Sequence, residues 1–226
     1  ARPGMIFWLL MNFSIAAKQY LSHGAVTAPM WLVVGFQTFY LFDYFIHEEA
    51  ILTTWDIKHE KFGWMLCWGD LVWLPFTYTL QAQYLLNHTH DLPAWGIAAI
   101  VALNLVGYAI FRGANSQKHR FRSNPEQPVW GKNAEYIETA KGTRLLTSGW
   151  WGLSRHMNYF GDLMIALSWC LPALFSHALP YFHILYFTIL LLHRERRDDT
   201  LCLAKYGEDW LRYRERVPWR IVPGLY

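Results

Sequence analysis

The chain has 226 residues, of which 54% are hydrophobic and 18% aromatic, and its formal net charge is +3. Its basic residues are interleaved with carboxylates and form no continuous basic stripe, which excludes nucleic acid as the expected partner. The cysteines lie far apart and form no CxxC pair, so the sequence predicts neither a disulfide framework nor a thiolate metal site.

The apolar residues are gathered in six blocks, most of them near the roughly 20 helical residues that cross a bilayer core of about 30 Å. Trp and Tyr residues lie near the block ends, as in an interfacial belt. We therefore predict an all-α, polytopic transmembrane helix bundle, and we disfavour a soluble protein with unusually apolar helices. The predicted blocks are 5–21, 29–46, 64–86, 94–112, 160–176 and 179–193.

Lysine and arginine are unevenly distributed along the chain. Four of them precede residue 112, and the other sixteen lie from Arg112 onward. By the positive-inside rule, the polar stretches 113–158 and 193–226 are expected in the cytosol. The last two blocks would then form a helical hairpin, with Pro172 and Pro180 around its turn.

The first group of candidate site residues lies at the end of the second block, in the stretch 39–64. Ionisable groups at membrane depth are expensive, so they are functional candidates. The spacings HxxxH and HExxH, which place two metal ligands on one helical face, are absent here, so no metal site is expected. The residues singled out are Tyr40, Asp43, His47, Glu48, Glu49, Asp56 and His59, with Asp70 in the next block.

The second candidate is "FRGANSQKHRFR", residues 111–122, directly after an apolar block. Lys118 and Arg122 are four residues apart and share one helical face, which suits a phosphate. An anchor for lipid headgroups is the alternative for this basic stretch. The following segment, 123–144, is rich in Pro, Gly and mixed charge and is predicted to be a surface loop.

The third candidate is "SGWWGLSRHMNYFGDLM", residues 148–164, which mixes aromatic, minimal and polar residues. Glycine allows close backbone approach, tryptophan offers a stacking face, and Asp162 is costly at membrane depth unless it is paired or lines a cavity. We favour a ligand site here over simple packing. The candidate ligand contacts are Trp151, Asn158, Tyr159 and Asp162.

The fourth candidate is the last apolar block, which is predicted to continue as a helix into the charged tail. Arg194, Asp198 and Lys205 fall on one face of that helix, followed by Tyr206. A salt-bridge ladder within the helix is the alternative reading of this face.

These stretches together resemble the sterol reductase family, which includes the carboxy-terminal domain of the lamin B receptor. Seven ordered motifs over the whole chain carry the resemblance, among them "EEAILTTWDI", "FRGANSQKHRFR" and "SGWWGLSRHMNYFGDL". The family implies a bundle of about ten spans, of which this chain would form the later six. Residues 1–112 would line the sterol pocket, and residues 113–226 would bind NADPH. "ANSQK" and "GWWG" resemble the delta-14 reductases more than the 7-dehydrocholesterol reductases, whereas Met157 replaces a proline of the wider superfamily.

The resemblance also implies the roles of individual residues. NADPH would lie among the last helices, open to the cytosol, and no GxGxxG fingerprint of a Rossmann site occurs. Arg and Lys at a cavity mouth would give charge-assisted bonds to its phosphates. The implied cofactor contacts are Lys118, Arg122, Trp151, Asn158, Tyr159, Asp162, Arg194, Asp198, Lys205 and Tyr206.

Similarity to delta-14 reductases implies a proton added to carbon 15 of the sterol and a hydride to carbon 14. An isolated double bond is electron-rich, so the protein must supply the proton in an apolar pocket. We expect Tyr40 and Asp198 to act as a relay, with Glu48 as another donor, because burial raises the pKa of a carboxyl group.

Two other functions remain open on the sequence alone. One is an isoprenylcysteine-type membrane methyltransferase that uses S-adenosylmethionine, and the other is a sterol-binding membrane protein without catalysis. The expected partners are a sterol and membrane lipid. The expected location is the endoplasmic reticulum or nuclear envelope in a eukaryote, or the inner membrane in a bacterium. The oligomeric state and the exact sterol stay open.

Overall fold

The computed structural model describes residues 2–49 and 63–226 and divides the chain into two compact units. The first unit contains Ala1–Val101 together with Leu167–Leu185, and the second contains Ala102–Ala166 together with Tyr186–Tyr226. Asp56 and His59 lie outside the described residues.

The first unit begins with two long helices, α1 (Arg2–His23) and α2 (Ala28–Ile46). The block predicted over 64–86 is not one helix. It is divided into α3 (Trp64–Trp68), a π-helical turn (Gly69–Trp73), α4 (Leu74–Thr77) and α5 (Leu80–Asn87). Pro75 lies in this stretch, and its missing N–H and its ring disfavour an unbroken helix.

A buried amide holds the first unit together. The Gln37 Oε1 atom accepts hydrogen bonds from Trp8 Nε1 at 2.8 Å and from Asn12 Nδ2 at 2.6 Å. The Gln37 Nε2 atom donates to the backbone oxygen of Tyr78 at 2.9 Å. A buried polar group must find partners, so this one side chain ties α1, α2 and the turn after α4 together.

A single helix, α6 (Ala94–Ser123), leads into the second unit. A hairpin of β1 (Tyr136–Glu138) and β2 (Arg144–Leu146) follows, with Tyr136 opposite Leu146. The hairpin occupies the segment predicted to be a surface loop, and it is a small exception to the predicted all-α fold.

The remaining helices are α7 (Trp150–Leu153), α8 (Met157–Cys170), α9 (Phe182–Tyr206) and α10 (Glu208–Arg216). Short 3₁₀ turns at Leu171–Ala173 and Leu179–Tyr181 separate α8 from α9 and contain the two prolines expected around that turn. The predicted continuation of the last apolar block into the charged tail is confirmed, because α9 runs unbroken for 25 residues.

Helices α6 and α8 approach each other closely at two glycines. A Cβ atom on Gly107 would lie 2.8 Å from Met164 Cβ, and one on Gly161 would lie 2.6 Å from the backbone nitrogen of Phe111. Small residues that let helix backbones approach are typical of helix packing in membranes.

Among the described residues, one helix, Ala94–Ser123, is long and apolar enough to cross a membrane by length and composition. Other predicted spans are either less apolar or shorter than this helix. Helix α2 has 19 residues but contains Gln37 and Asp43, and α8 has only 14 residues. The mostly helical fold agrees with the expectation, and the number of six spans stays a prediction.

Candidate functional site

The second unit brings two predicted cofactor residues, Lys118 and Trp151, into contact. The Lys118 Nζ atom lies 4.0 Å from the centroid of the Trp151 ring. The indole is buried, and its Nε1 atom donates to the backbone oxygen of Ala114 at 2.9 Å. The Lys118 ammonium group therefore lies against the face of a buried indole that is itself held in place.

A glycine turn places the Trp-Trp pair beneath α6. Gly149 has φ +63°, where a side chain is strained, and a Cβ atom there would lie 2.3 Å from Gln117 Nε2. The backbone nitrogen of Trp150 donates to Gln117 Oε1 at 2.9 Å. The first glycine of "GWWG" is therefore required by both its backbone conformation and the close approach to α6.

The side chains of His156 and Asp198 lie next to each other in the second unit. The His156 ring stacks on Tyr159 with centroids 4.8 Å apart, and its Nε2 atom lies 3.8 Å from Asp198 Oδ2. Burial, together with the smaller effect of the cations Lys118, Arg155 and Arg220, lowers the pKa of His156 to about 3. The imidazole is therefore neutral near pH 7, and its contact with Asp198 is not an ion pair.

The other predicted cofactor residues of this unit differ in their surroundings. Asp162 is half-buried and lies within electrostatic reach of Arg194. Arg122 is exposed at the end of α6, and Lys205 is exposed with its Nζ atom 4.7 Å from the Tyr206 ring centroid. Lys118, Tyr159 and Asp198 thus surround His156 and Trp151 lies against Lys118, whereas Arg122 and Lys205 lie at the surface.

Asn158 provides a test of whether these residues suit a nucleotide cofactor. Its Nδ2 atom donates to Asn115 Oδ1 at 3.3 Å. Its own Oδ1 atom is buried and accepts no hydrogen bond from the described part of the chain. A buried acceptor needs a donor, and a ribose hydroxyl or a carboxamide N–H would supply one. The chemistry of this acceptor atom and of the Lys118 ammonium group fits a phosphorylated, hydroxyl-bearing cofactor.

The candidate proton donors at the end of α2 lie in the first unit. The Tyr40 ring packs edge-on against Trp169, with centroids 5.3 Å apart. Asp43 is buried, and its Oδ1 atom lies 3.2 Å from His47 Nδ1. Tyr40 and Asp198 belong to different units, so the relay between them stays a prediction.

The expectation that burial raises the pKa of Glu48 is wrong, whereas its catalytic role stays a prediction. Arg2 forms an ion pair with Glu48, and the hydrogen bond from its guanidinium group lowers the pKa of Glu48 below its usual value. The carboxylate therefore accepts hydrogen bonds and does not hold a proton near pH 7.

Two other acidic residues of α9 have partners outside that helix, while the ladder of Arg194, Asp198 and Lys205 stays an alternative. Buried Glu195 accepts a hydrogen bond from Arg220 at 3.1 Å. Asp199 accepts from Arg214 at 2.8 Å and from Trp210 Nε1 at 3.0 Å. This face of α9 is bound to the tail, while the adjacent face carries Asp198.

Arg155, which belongs to the third candidate stretch, 148–164, has a structural role that its place in that motif does not predict. Its Nη1 atom donates to the backbone oxygens of Val217 at 3.1 Å and Pro218 at 3.3 Å. Burial lowers the pKa of this guanidinium group below its usual value. The sequence signal was weak, because nothing in the local spacing connects Arg155 to a partner so distant in the chain.

Metal binding finds no support in the described ranges, 2–49 and 63–226. No three His, Cys, Asp or Glu side chains come together there as a metal site would require.

Comparison with known proteins agrees with the family resemblance seen in the motifs. Residues 1–226 match the family described as "Ergosterol biosynthesis ERG4/ERG24 family". The chain is 80% identical over its whole length to the Delta(14)-sterol reductase of Methylotuvimicrobium alcaliphilum, of which it covers 53%. It is 53% identical to that of Dictyostelium discoideum and 52% identical to that of Mus musculus, covering 50% and 54% of them.

The chain thus spans about half the length of these curated relatives. The family match covers every residue, and the similarity extends across bacterial, amoebal and animal relatives. The chain therefore belongs to the ERG4/ERG24 family of ergosterol biosynthesis.

Proposed function

We propose that the protein to which this chain belongs is a membrane enzyme that reduces the 14,15 double bond of a sterol with NADPH. The observation that carries the proposal is the 80% identity, over the whole chain, to a protein named Delta(14)-sterol reductase. The cluster of Lys118, Trp151, His156 and Asp198 supports it, because it combines a fixed cation, an aromatic wall and a carboxyl group.

Lys118 and Arg122 would hold the phosphates, Arg194 would be a further cofactor contact, and Asn158 Oδ1 would accept from the ribose or carboxamide. When bound, NADPH supplies a hydride. The buried Trp151 ring keeps water away from the Lys118 ammonium group on one side, which strengthens the interaction of that group with an anion. These residues bind and orient the cofactor.

A proton must reach carbon 15 before or together with the hydride, since a double bond without an electron-withdrawing group does not accept hydride alone. Tyr40 and Asp198 remain the proposed donors. His156, neutral near pH 7, lies beside Asp198 and adds no positive charge of its own to the surroundings of that carboxyl group. The ion pair of Glu48 with Arg2 argues against Glu48 as the donor.

We further propose that the enzyme is a multi-pass membrane protein whose cofactor side faces the cytosol. The polarised distribution of Lys and Arg supports this orientation. Membrane lipid and a sterol are the proposed partners.

The test uses the full-length protein in detergent or vesicles, with a delta-14 sterol and NADPH carrying deuterium at the transferable position. Mass spectrometry should show a sterol that has gained one deuterium from the cofactor and one hydrogen from the solvent. A product carrying a methyl group with S-adenosylmethionine would instead support the methyltransferase. Binding of the sterol without any product would support the non-catalytic alternative.

A further inference from the structure

We propose that His156 is a positioning residue for the Asp198 carboxyl group and that residues 217–221 hold it in place. This inference rests on the proposed reductase function. It adds a residue and a segment to which neither the family match nor the names of the relatives assigns a role.

The side-chain geometry gives the first argument. The His156 ring is held on one face by Tyr159 at an interplanar angle of 14°, and its Nε2 atom lies 3.8 Å from Asp198 Oδ2. This distance exceeds a hydrogen bond by less than an ångström, so a small rotation of Asp198 would close it. The Asp198 side chain is 34% exposed while that of His156 is 10% exposed. A fixed imidazole thus borders a carboxyl group that a ligand can still reach.

The backbone gives the second argument. The nitrogen of Arg155 donates to the oxygen of Trp219 at 2.9 Å, and that of His156 donates to the oxygen of Arg220 at 2.8 Å. Ser154 Oγ donates to the oxygen of Ile221 at 3.0 Å. Three consecutive residues before α8 are therefore paired with three consecutive residues of the tail.

The same tail is attached to α9, the helix that carries Asp198. Arg220 pairs with buried Glu195, and Arg214 pairs with Asp199, which is adjacent to Asp198. Residues 217–221 consequently fix the backbone of His156. Arg214 and Arg220 fix α9, the helix that carries Asp198. These contacts of the tail do not by themselves require the His156 imidazole to face the Asp198 carboxyl group, so that orientation calls for an explanation of its own.

The charges around His156 give the third argument. It is faced by Lys118 from α6, Asp198 from α9, Arg220 from the tail, and Arg155 and Tyr159 from its own segment. Burial and the three cations keep its pKa near 3. A neutral imidazole can orient a carboxyl group without favouring its ionised form. A lysine or arginine in the same place would favour the carboxylate.

The experiment compares His156→Leu and His156→Gln in the full-length protein. Glutamine can place a nitrogen near the position of Nε2, whereas leucine fills the space without a polar atom. Turnover is measured between about pH 5 and 9 at varied NADPH and sterol. His119→Gln is the matched control, since His119 is exposed on α6.

We expect His156→Leu to lower kcat by about tenfold or more while KM for NADPH stays within about twofold. The pH at which kcat falls to half should move by about half a unit or more, because the surroundings of the carboxyl group change. His156→Gln should recover part of kcat, and it carries the test through its pH profile if the leucine variant does not fold.

An unchanged kcat and pH profile in the folded variants would overturn the inference, as would a loss explained wholly by weaker NADPH binding. The wild-type protein separates this failure from failure of the proposed function. If the wild type reduces no sterol, the function is wrong; if it does and the variants match it, only the role of His156 is wrong.

Discussion

Lys118 is the predicted cofactor residue whose surroundings are best defined, because its ammonium group lies against the buried Trp151 ring. Lys118→Gln removes the cation and should weaken NADPH binding by about tenfold to a hundredfold, the equivalent of one charged hydrogen bond of roughly 1.5–3 kcal/mol. Titration of the purified protein with NADPH measures this. Lys132→Gln, in an exposed loop, is the control and should bind normally. Equal affinity in the two variants would remove Lys118 from the site.

Neutral, buried His156 should also make the protein sensitive to acid. Its pKa falls from 6.5 to about 3 on folding, so below pH 6.5 the unfolded chain takes up a proton that the folded chain refuses. The free energy of unfolding should therefore fall by roughly 1.4 kcal/mol per pH unit, or about 2 kcal/mol between pH 6.5 and 5.

Thermal unfolding in detergent at pH 7 and pH 5 measures this acid sensitivity. His156→Gln should lose less of its melting temperature between the two pH values than the wild type does, because glutamine takes up no proton. Identical losses would show that His156 is protonated in the folded protein.

Individual site residues could be predicted to different extents. Lys118 and Trp151 were recognisable because a cation and an aromatic ring stand in motifs that the resemblance had already marked. The state of Glu48 was not recognisable, since its partner Arg2 lies 46 residues away in the chain. The position of a carboxyl group beside an apolar block indicates that it lies near a membrane. Only the folded structure shows which cation forms an ion pair with it.

At the scale of elements, the crossing of α6 and α8 depends on Gly107. A methyl group there would meet Met164 Cβ at 2.8 Å, so Gly107→Ala should destabilise the protein by about 1–3 kcal/mol through overpacking. Gly96, on the same helix, is the control, because a Cβ atom there would lie 3.4 Å from the Pro93 side chain. Gly96→Ala should be neutral or stabilise by up to about 1 kcal/mol. Melting temperatures in detergent compare the two, and a Gly107→Ala variant as stable as Gly96→Ala would contradict the close crossing.

The elements also differ in how far the sequence determines them. The continuation of α9 was predictable, because charged helix-forming residues follow the apolar block without Pro or Gly up to Tyr206. The division of the stretch 64–86 was missed because its hydropathy is continuous, and Pro75 within it was the one local signal of an interruption. The partners of Glu195 and Asp199 depend on the path of the tail, which local spacing does not encode.

At the scale of the whole molecule, the distribution of basic residues makes a testable statement about topology. The exposed loop residue Lys132 should face the cytosol, and exposed Asp91 should face the opposite side. Lys132→Cys and Asp91→Cys are made in a background where Cys67, which is exposed, is replaced by serine. An impermeant maleimide added to intact cells or sealed vesicles of known orientation should label them from opposite sides. Labelling of both from one side would contradict the predicted arrangement.

The number of membrane-spanning helices is the property of the whole molecule that is hardest to predict from the sequence. Helices that contain buried amides and carboxyl groups have a low mean hydropathy even when those groups are satisfied internally, as Gln37 is. The total apolar content and the family are readable from the chain, whereas the path of each helix depends on such internal hydrogen bonds.

The pairing of residues 154–156 with residues 219–221 has a consequence for protein synthesis. Arg155 is translated well before its acceptor Val217, which follows 62 residues later. A premature stop codon before Val217 would leave all six predicted apolar blocks intact and still remove the backbone partner of His156. Nonsense variants in this last stretch should therefore accumulate in membranes as protein that inserts but does not turn over substrate.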